Sequence, residues 1–250
     1  MGSSIRLGKI LGIPVGLHYS WFVIFFLVTY SLGVSLREFY PFWSAPERWG
    51  VALSAAVLLF ASVLAHELSH SFIAKRKGIP VLGITLFLFG GVSRLGREPD
   101  RPMTEFSVAV VGPLSSIVLS AVFGGLWYLL GGADSVLEVV LFLLAWTNLW
   151  LGVFNILPGY PLDGGRILRA AVWGLTGSYR RATRVATRSG QAIGALTVIL
   201  GVALGIFVGA VNGIWVIIIG GFLFTIATAS YREERSREAL RRWGSDGLHE

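Results

Sequence analysis

Residues Trp49 to Ser71 read WGVALSAAVLLFASVLAHELSHS. From Trp49 to Ala65 there is no charged residue, and the run then closes on His66-Glu67-Leu68-Ser69-His70. An uncharged apolar stretch of this kind reads as a membrane-spanning helix, which needs about 20 residues. On a helix His66 and His70 lie four apart, so both imidazoles project from one face and can bind one zinc ion. Glu67 stands beside the first histidine, where its carboxylate can take a proton from a metal-bound water. The same short pattern on a polar surface helix is commonly a chance match. Inside an apolar span, ionisable residues are costly and mark function.

Working outward, the whole chain follows the same pattern. Of 250 residues, 54% are hydrophobic and only 14% charged, against roughly a quarter charged in a soluble domain. The predicted fold class is therefore an all-α polytopic membrane protein. Six transmembrane helices are expected, with a short membrane-associated β-hairpin between the second and third. Cysteine is absent, so a metal must be held by nitrogen and oxygen ligands. The net charge of +7 does not signal nucleic acid, because the basic residues fall between apolar runs and in the tail.

In chain order, residues 1–15 read as a mildly basic lead-in, and residues 10–36, uncharged, as the first helix. His18, Tyr19 and Trp21 at its start suit a membrane interface. The second helix is expected from about Trp49 to Ala74. Residues 79–96 are apolar and β-branched but too short and too rich in Gly and Pro to span, so two strands turning at Gly90-Gly91 are predicted. A free edge there can pair with an extended substrate backbone, or the hairpin can be purely structural. Phe106 to Ala133 is the third helix, which Pro113 opens or kinks. Asp134 and Glu138 mark a short loop, and Val139 to Leu157 form the fourth helix.

That helix ends in Asn155-Ile156-Leu157-Pro158-Gly159-Tyr160-Pro161-Leu162-Asp163-Gly164-Gly165. The prolines and glycines force irregular backbone, which at membrane depth must be buried in protein or line a cavity. Asp163 on this segment is the candidate third ligand. Two histidines and a carboxylate leave one zinc position for water, the catalytic arrangement. Residues 167–188, with five arginines around apolar positions, suit an amphipathic helix lying on anionic lipid. Ser189 to Tyr231 holds two further helices turning near Gly209–Gly213. Residues 1–231 thus form the core and 232–250 a charged tail. Of the 21 lysines and arginines, only Arg37 and Arg48 fall outside the loops and ends on the amino-terminal side. The positive-inside rule then places both termini in the cytoplasm.

His66-Glu67-x-x-His70 together with Asn155-x-x-Pro158-x-x-Pro161-Leu162-Asp163-Gly164 resembles the site-two protease family of intramembrane zinc metalloproteases, over about residues 15–170. Phe89-Gly90-Gly91-Val92 and Gly112-Pro113 belong to the same likeness. The resemblance implies one zinc per chain on His66, His70 and Asp163, with Glu67 as catalytic base. It also implies that Asn155 holds the substrate or stabilises the reaction centre, the alternative being a helix-end cap, and that Gly90 and Gly91 capture an unwound strand. The substrates it implies are single-pass transmembrane proteins, commonly tethered regulators, cut in the plasma membrane. No PDZ-like insertion or carboxy-terminal pair of cystathionine-β-synthase-type domains is evident, and the chain reads as a membrane core of members that carry the latter. A metal-ion transporter with a midplane His/Asp site, or an inactive helix-binding relative, is the alternative.

Overall fold

The computed structural model describes residues 4–131 and 135–246, with the backbone alone at 4, 211–212 and 233–246. Asp134 therefore lies outside the described residues. Six helices among them are long and apolar enough to cross a membrane: Ser20–Phe39, Ala45–Arg76, Pro102–Leu129, Val136–Ile156, Tyr179–Phe207 and Gly213–Arg232. The predicted class and number of spans are borne out, and the chain is a multi-pass membrane protein. It falls into two compact units, residues 1–100 with 110–154, and residues 101–109 with 155–250.

The first unit begins with strands, not with a lead-in. Strand β1 (Ser4–Ile10) and β2 (Ile13–His18) form an antiparallel hairpin. Leu11 and Gly12 turn it with φ of 51° and 75°, the left-handed pair that a tight two-residue hairpin requires. Helix α1 (Ser20–Phe39) starts only after it. The uncharged run from Ile10 hid this boundary, since absence of charge does not separate strand from helix. Two glycines and Pro14 within seven residues do, because both residue types are poor in a helix interior.

Helix α2 (Ala45–Arg76) is opened by a capping box: Ser44 N–H donates to Glu47 Oε2 at 2.7 Å, and Glu47 N–H donates to Ser44 Oγ. Its 32 residues extend about 48 Å at 1.5 Å per residue, so it spans the bilayer with length to spare. Gly33 of α1 lets Trp49 pack close, because a Cβ there would lie 2.5 Å from the indole. Trp21, Phe25 and Phe60 fill the other end of this helix pair.

Strand β3 (Val81–Phe87) and β4 (Gly90–Leu95) form the expected hairpin, turning at Leu88-Phe89 with Phe87 opposite Gly90. The turn therefore precedes Gly90-Gly91, which open β4. β3 also pairs in parallel with β2, Val15 opposite Ile84 and Leu17 opposite Leu86. The result is a four-stranded sheet in the order β1-β2-β3-β4, larger than the predicted hairpin. Alternation along β2 puts Ile13, Val15 and Leu17 on its buried face.

Helix α3 (Pro102–Leu129) continues through Pro113 without ending. Helix α4 (Val136–Ile156) begins where a loop was expected, since Glu138 caps it from the first turn by accepting bonds from Ser135. A buried cluster of Leu36, Val51, Ala52, Val139, Val140 and Leu144 joins α1, α2 and α4.

In the second unit, α5 (Asp163–Thr176) stops at Gly177, whose φ is 65°. Ser178 then caps α6 (Tyr179–Phe207) by accepting from Arg181 N–H. The predicted amphipathic helix over 167–188 is thus two elements. Arg180, Arg181, Arg184 and Arg188 occupy the first turns of a spanning helix instead. Gly at the helix end and Ser at the next start are the signals that separate them. Helix α7 (Ala210–Asp246) follows after the predicted turn. Its backbone carries the charged segment as far as Asp246, and residues 247–250 lie outside the described residues.

Candidate metal centre

The last third of α2 carries the histidine pair. His66 and His70 are 3% and 4% exposed. Their Nε2 atoms face each other at 3.2 Å, as an i, i+4 pair on one helix face can. Helix α3 crosses over this pair. At Gly112 a Cβ would lie 2.1 Å from His70 Nε2 and 2.7 Å from His66 Nε2. The absent side chain leaves room where the two nitrogens converge. One turn along α3, Ser116 Oγ meets His66 Nδ1 at 2.9 Å.

Glu67 turns toward the sheet. Its Oε2 accepts a hydrogen bond from Ser93 Oγ of β4 at 2.8 Å, and Ser71 Oγ donates to Ser93 in turn. Gly91 lies directly beneath, where a Cβ would meet Glu67 Cγ at 2.4 Å. The base candidate is therefore seated on β4, held by one hydroxyl and admitted by one glycine. On α4, fully buried Asn148 donates to Ser62 Oγ at 3.1 Å, one turn before His66.

In the second unit Asp163 is the first residue of α5 and is buried. A carboxylate at a helix amino terminus is favoured by the helix dipole. The broken segment before it is packed against its own unit. Tyr160 N–H donates to Ala186 O at 3.1 Å, while Gly164 and Gly165 lie so close to the backbone of residues 156–160 that a Cβ would overlap it. Further along α5, Arg169 Nε donates to Glu105 Oε1 at 2.7 Å, with its guanidinium near the rings of Tyr160 and Tyr179. Burial works against the Arg169 charge, but Glu105 beside it outweighs that, and the guanidinium pKa is raised. Asn155 lies half-buried in the last turn of α4.

A model of peptidase family M50 matches residues 54–133 and 132–200. The chain belongs to peptidase family M50. Rip3 of Mycobacterium tuberculosis, named as a candidate zinc metalloprotease, is 42% identical to this M50 chain over 95% of the chain and 60% of Rip3. A protein of Synechocystis, also named as a candidate zinc metalloprotease, is 42% identical over 96% of the chain and 63% of its own length. A solved site-2 protease from Methanocaldococcus jannaschii superposes with a TM-score of 0.64 at 30% identity, covering 92% of the chain and 95% of that protein. The resemblance to site-two proteases is borne out. The chain spans 60% and 63% of the two curated relatives.

The donors of this M50 chain suit zinc, the metal in its relatives' names. Both histidines are buried with Nε2 atoms converging in a space that Gly112 keeps open, and imidazole nitrogen and carboxylate oxygen are the donor types zinc takes. Gly112 entered the sequence reading only beside a proline, and Ser93, Ser116 and Asn148 did not enter it at all. The available signal was weak but present: small or hydroxyl residues at i, i+4 in an otherwise apolar helix mark a face that packs closely or bonds across.

Proposed function

We propose that this chain is a zinc-dependent endopeptidase that cuts peptide bonds within the membrane. The observation that carries the reading is a buried imidazole pair, nitrogens 3.2 Å apart, inside a spanning helix with Glu67 next to it. In this reading His66, His70 and Asp163 hold one zinc ion. When bound, the zinc polarises a carbonyl and acidifies a water molecule. Glu67 receives the proton of the attacking water, the water oxygen joins the carbonyl carbon, and the C–N bond breaks as Glu67 passes the proton to the leaving amine. Ser93 keeps the Glu67 carboxylate aimed during both transfers.

The substrate is an extended peptide, because a helical segment hides its own peptide bonds from water. Strand β4 is the last in the sheet order, and its outer edge offers backbone groups for an unwound strand to pair with. Gly90 and Gly91 open that strand beside Glu67, where the unwound segment would lie, and Asn155 provides an amide for the substrate backbone. Single-pass transmembrane proteins that tether regulators are the substrate class. The basic loops favour both termini in the cytoplasm, and the family likeness favours the plasma membrane as the site of action.

Zinc content and cleavage of a model transmembrane substrate test this on the purified chain. Wild type is expected to hold about one zinc and cut. Glu67→Gln should keep the metal and lose activity by roughly 100-fold or more. Asp163→Ala should lose zinc affinity. A Glu67→Gln variant that cuts at the wild-type rate overturns the mechanism, and wild type without zinc overturns the metal assignment.

A further inference from the structure

We propose that Ser116 is the positioning residue that sets the tautomer and ring angle of His66. This rests on the zinc reading above. A histidine that binds metal through Nε2 must carry its proton on Nδ1, and that N–H needs an acceptor in a place without water. Ser116 Oγ faces His66 Nδ1 at 2.9 Å, on a residue with no exposed surface.

Serines in apolar helices usually satisfy themselves by donating to a carbonyl of their own helix. Ser62, Ser69, Ser107 and Ser115 do this, bonding to Leu58, Ala65, Met103 and Gly112 respectively. Ser116 differs, because its oxygen meets a side chain 50 residues away in sequence. Its place on α3 sharpens the point. Gly112, one turn earlier on the same face, clears the space around His66 Nε2 and His70 Nε2. A single face of α3 thus fixes one nitrogen of His66 and makes room at the other.

The test compares wild type, Ser116→Ala and Ser115→Ala as full-length protein in detergent. Zinc affinity is measured by competition with a chelator, the site geometry by the visible spectrum of the cobalt-loaded protein, and the fold by melting of the metal-free protein. Ser116→Ala should bind zinc 10- to 100-fold more weakly and shift the cobalt bands, with metal-free melting unchanged. Ser115→Ala should match wild type in all three, and Ser116→Thr, which restores a hydroxyl, should recover much of the affinity. Wild-type affinity and cobalt bands in Ser116→Ala overturn the proposal and leave the zinc reading intact. An equal loss in Ser115→Ala also overturns it, since the effect would then belong to α3 packing. Failure of wild type itself to take up zinc overturns the zinc reading and this proposal together.

Discussion

Two helix contacts in this protein are built on missing side chains, and they are used differently. Between α6 and α7, a Cβ at Gly194 would strike Phe224 N at 2.7 Å, and one at Gly201 would strike Ile217 N at the same distance. There the vacated space admits backbone, and close approach of two main chains stands in for the hydrophobic drive that lipid does not supply. Between α3 and α2, the space vacated by Gly112 admits two imidazole nitrogens. The same residue type holds helices together in one unit and keeps a binding site open in the other.

The comparison predicts opposite phenotypes for the same chemical change. Gly112→Ala should lower zinc affinity at least about 100-fold, because the new methyl occupies the place where the nitrogens converge, while metal-free melting barely moves. Gly201→Ala should do the reverse. Forcing a methyl into packed backbone costs about 1–3 kcal/mol, read as a lower melting temperature, with zinc affinity unchanged. If both variants lose stability and neither loses zinc, the distinction between the two contacts fails. The smallest effect is expected at Ser93→Ala. It removes one hydrogen bond to Glu67 Oε2 and should lower kcat by roughly threefold to tenfold, leaving zinc content and KM near wild type. A matching loss of zinc would mean that Ser93 supports the metal centre and not the base alone.

These contacts also mark what the sequence could convey. His66, Glu67 and His70 were legible because their relation is local: one turn of helix, set by spacing alone. The broken segment was legible through its prolines and glycines. Gly112 was legible only as part of the family likeness and Ser116 not at all, because their place depends on α3 meeting α2 at one rotation, and no local pattern specifies that. The amino-terminal hairpin was lost for a different reason. Lack of charge is common to strand and helix, and within the uncharged run Gly12, Pro14 and Gly16 break the helical pattern. Gly177-Ser178 was likewise readable as a stop followed by a start, and was obscured by the arginines on both sides.

The parallel pairing of β2 with β3 has a consequence for the order in which the first unit is made. Val15 meets Ile84 across an interval that contains both α1 and α2. Contacts so distant along the chain form slowly, since a long loop must close before they form. Synthesis delivers Glu67 first, while Ser93 follows 26 residues later on β4, a strand that joins the sheet through β3. The carboxylate therefore gains its fixed direction only after two helices are in the bilayer and the sheet has closed behind them. A half-made chain carries the Glu67 carboxylate without its partner on β4, so the direction of that group is set by the closing of the sheet and not by helix α2 alone.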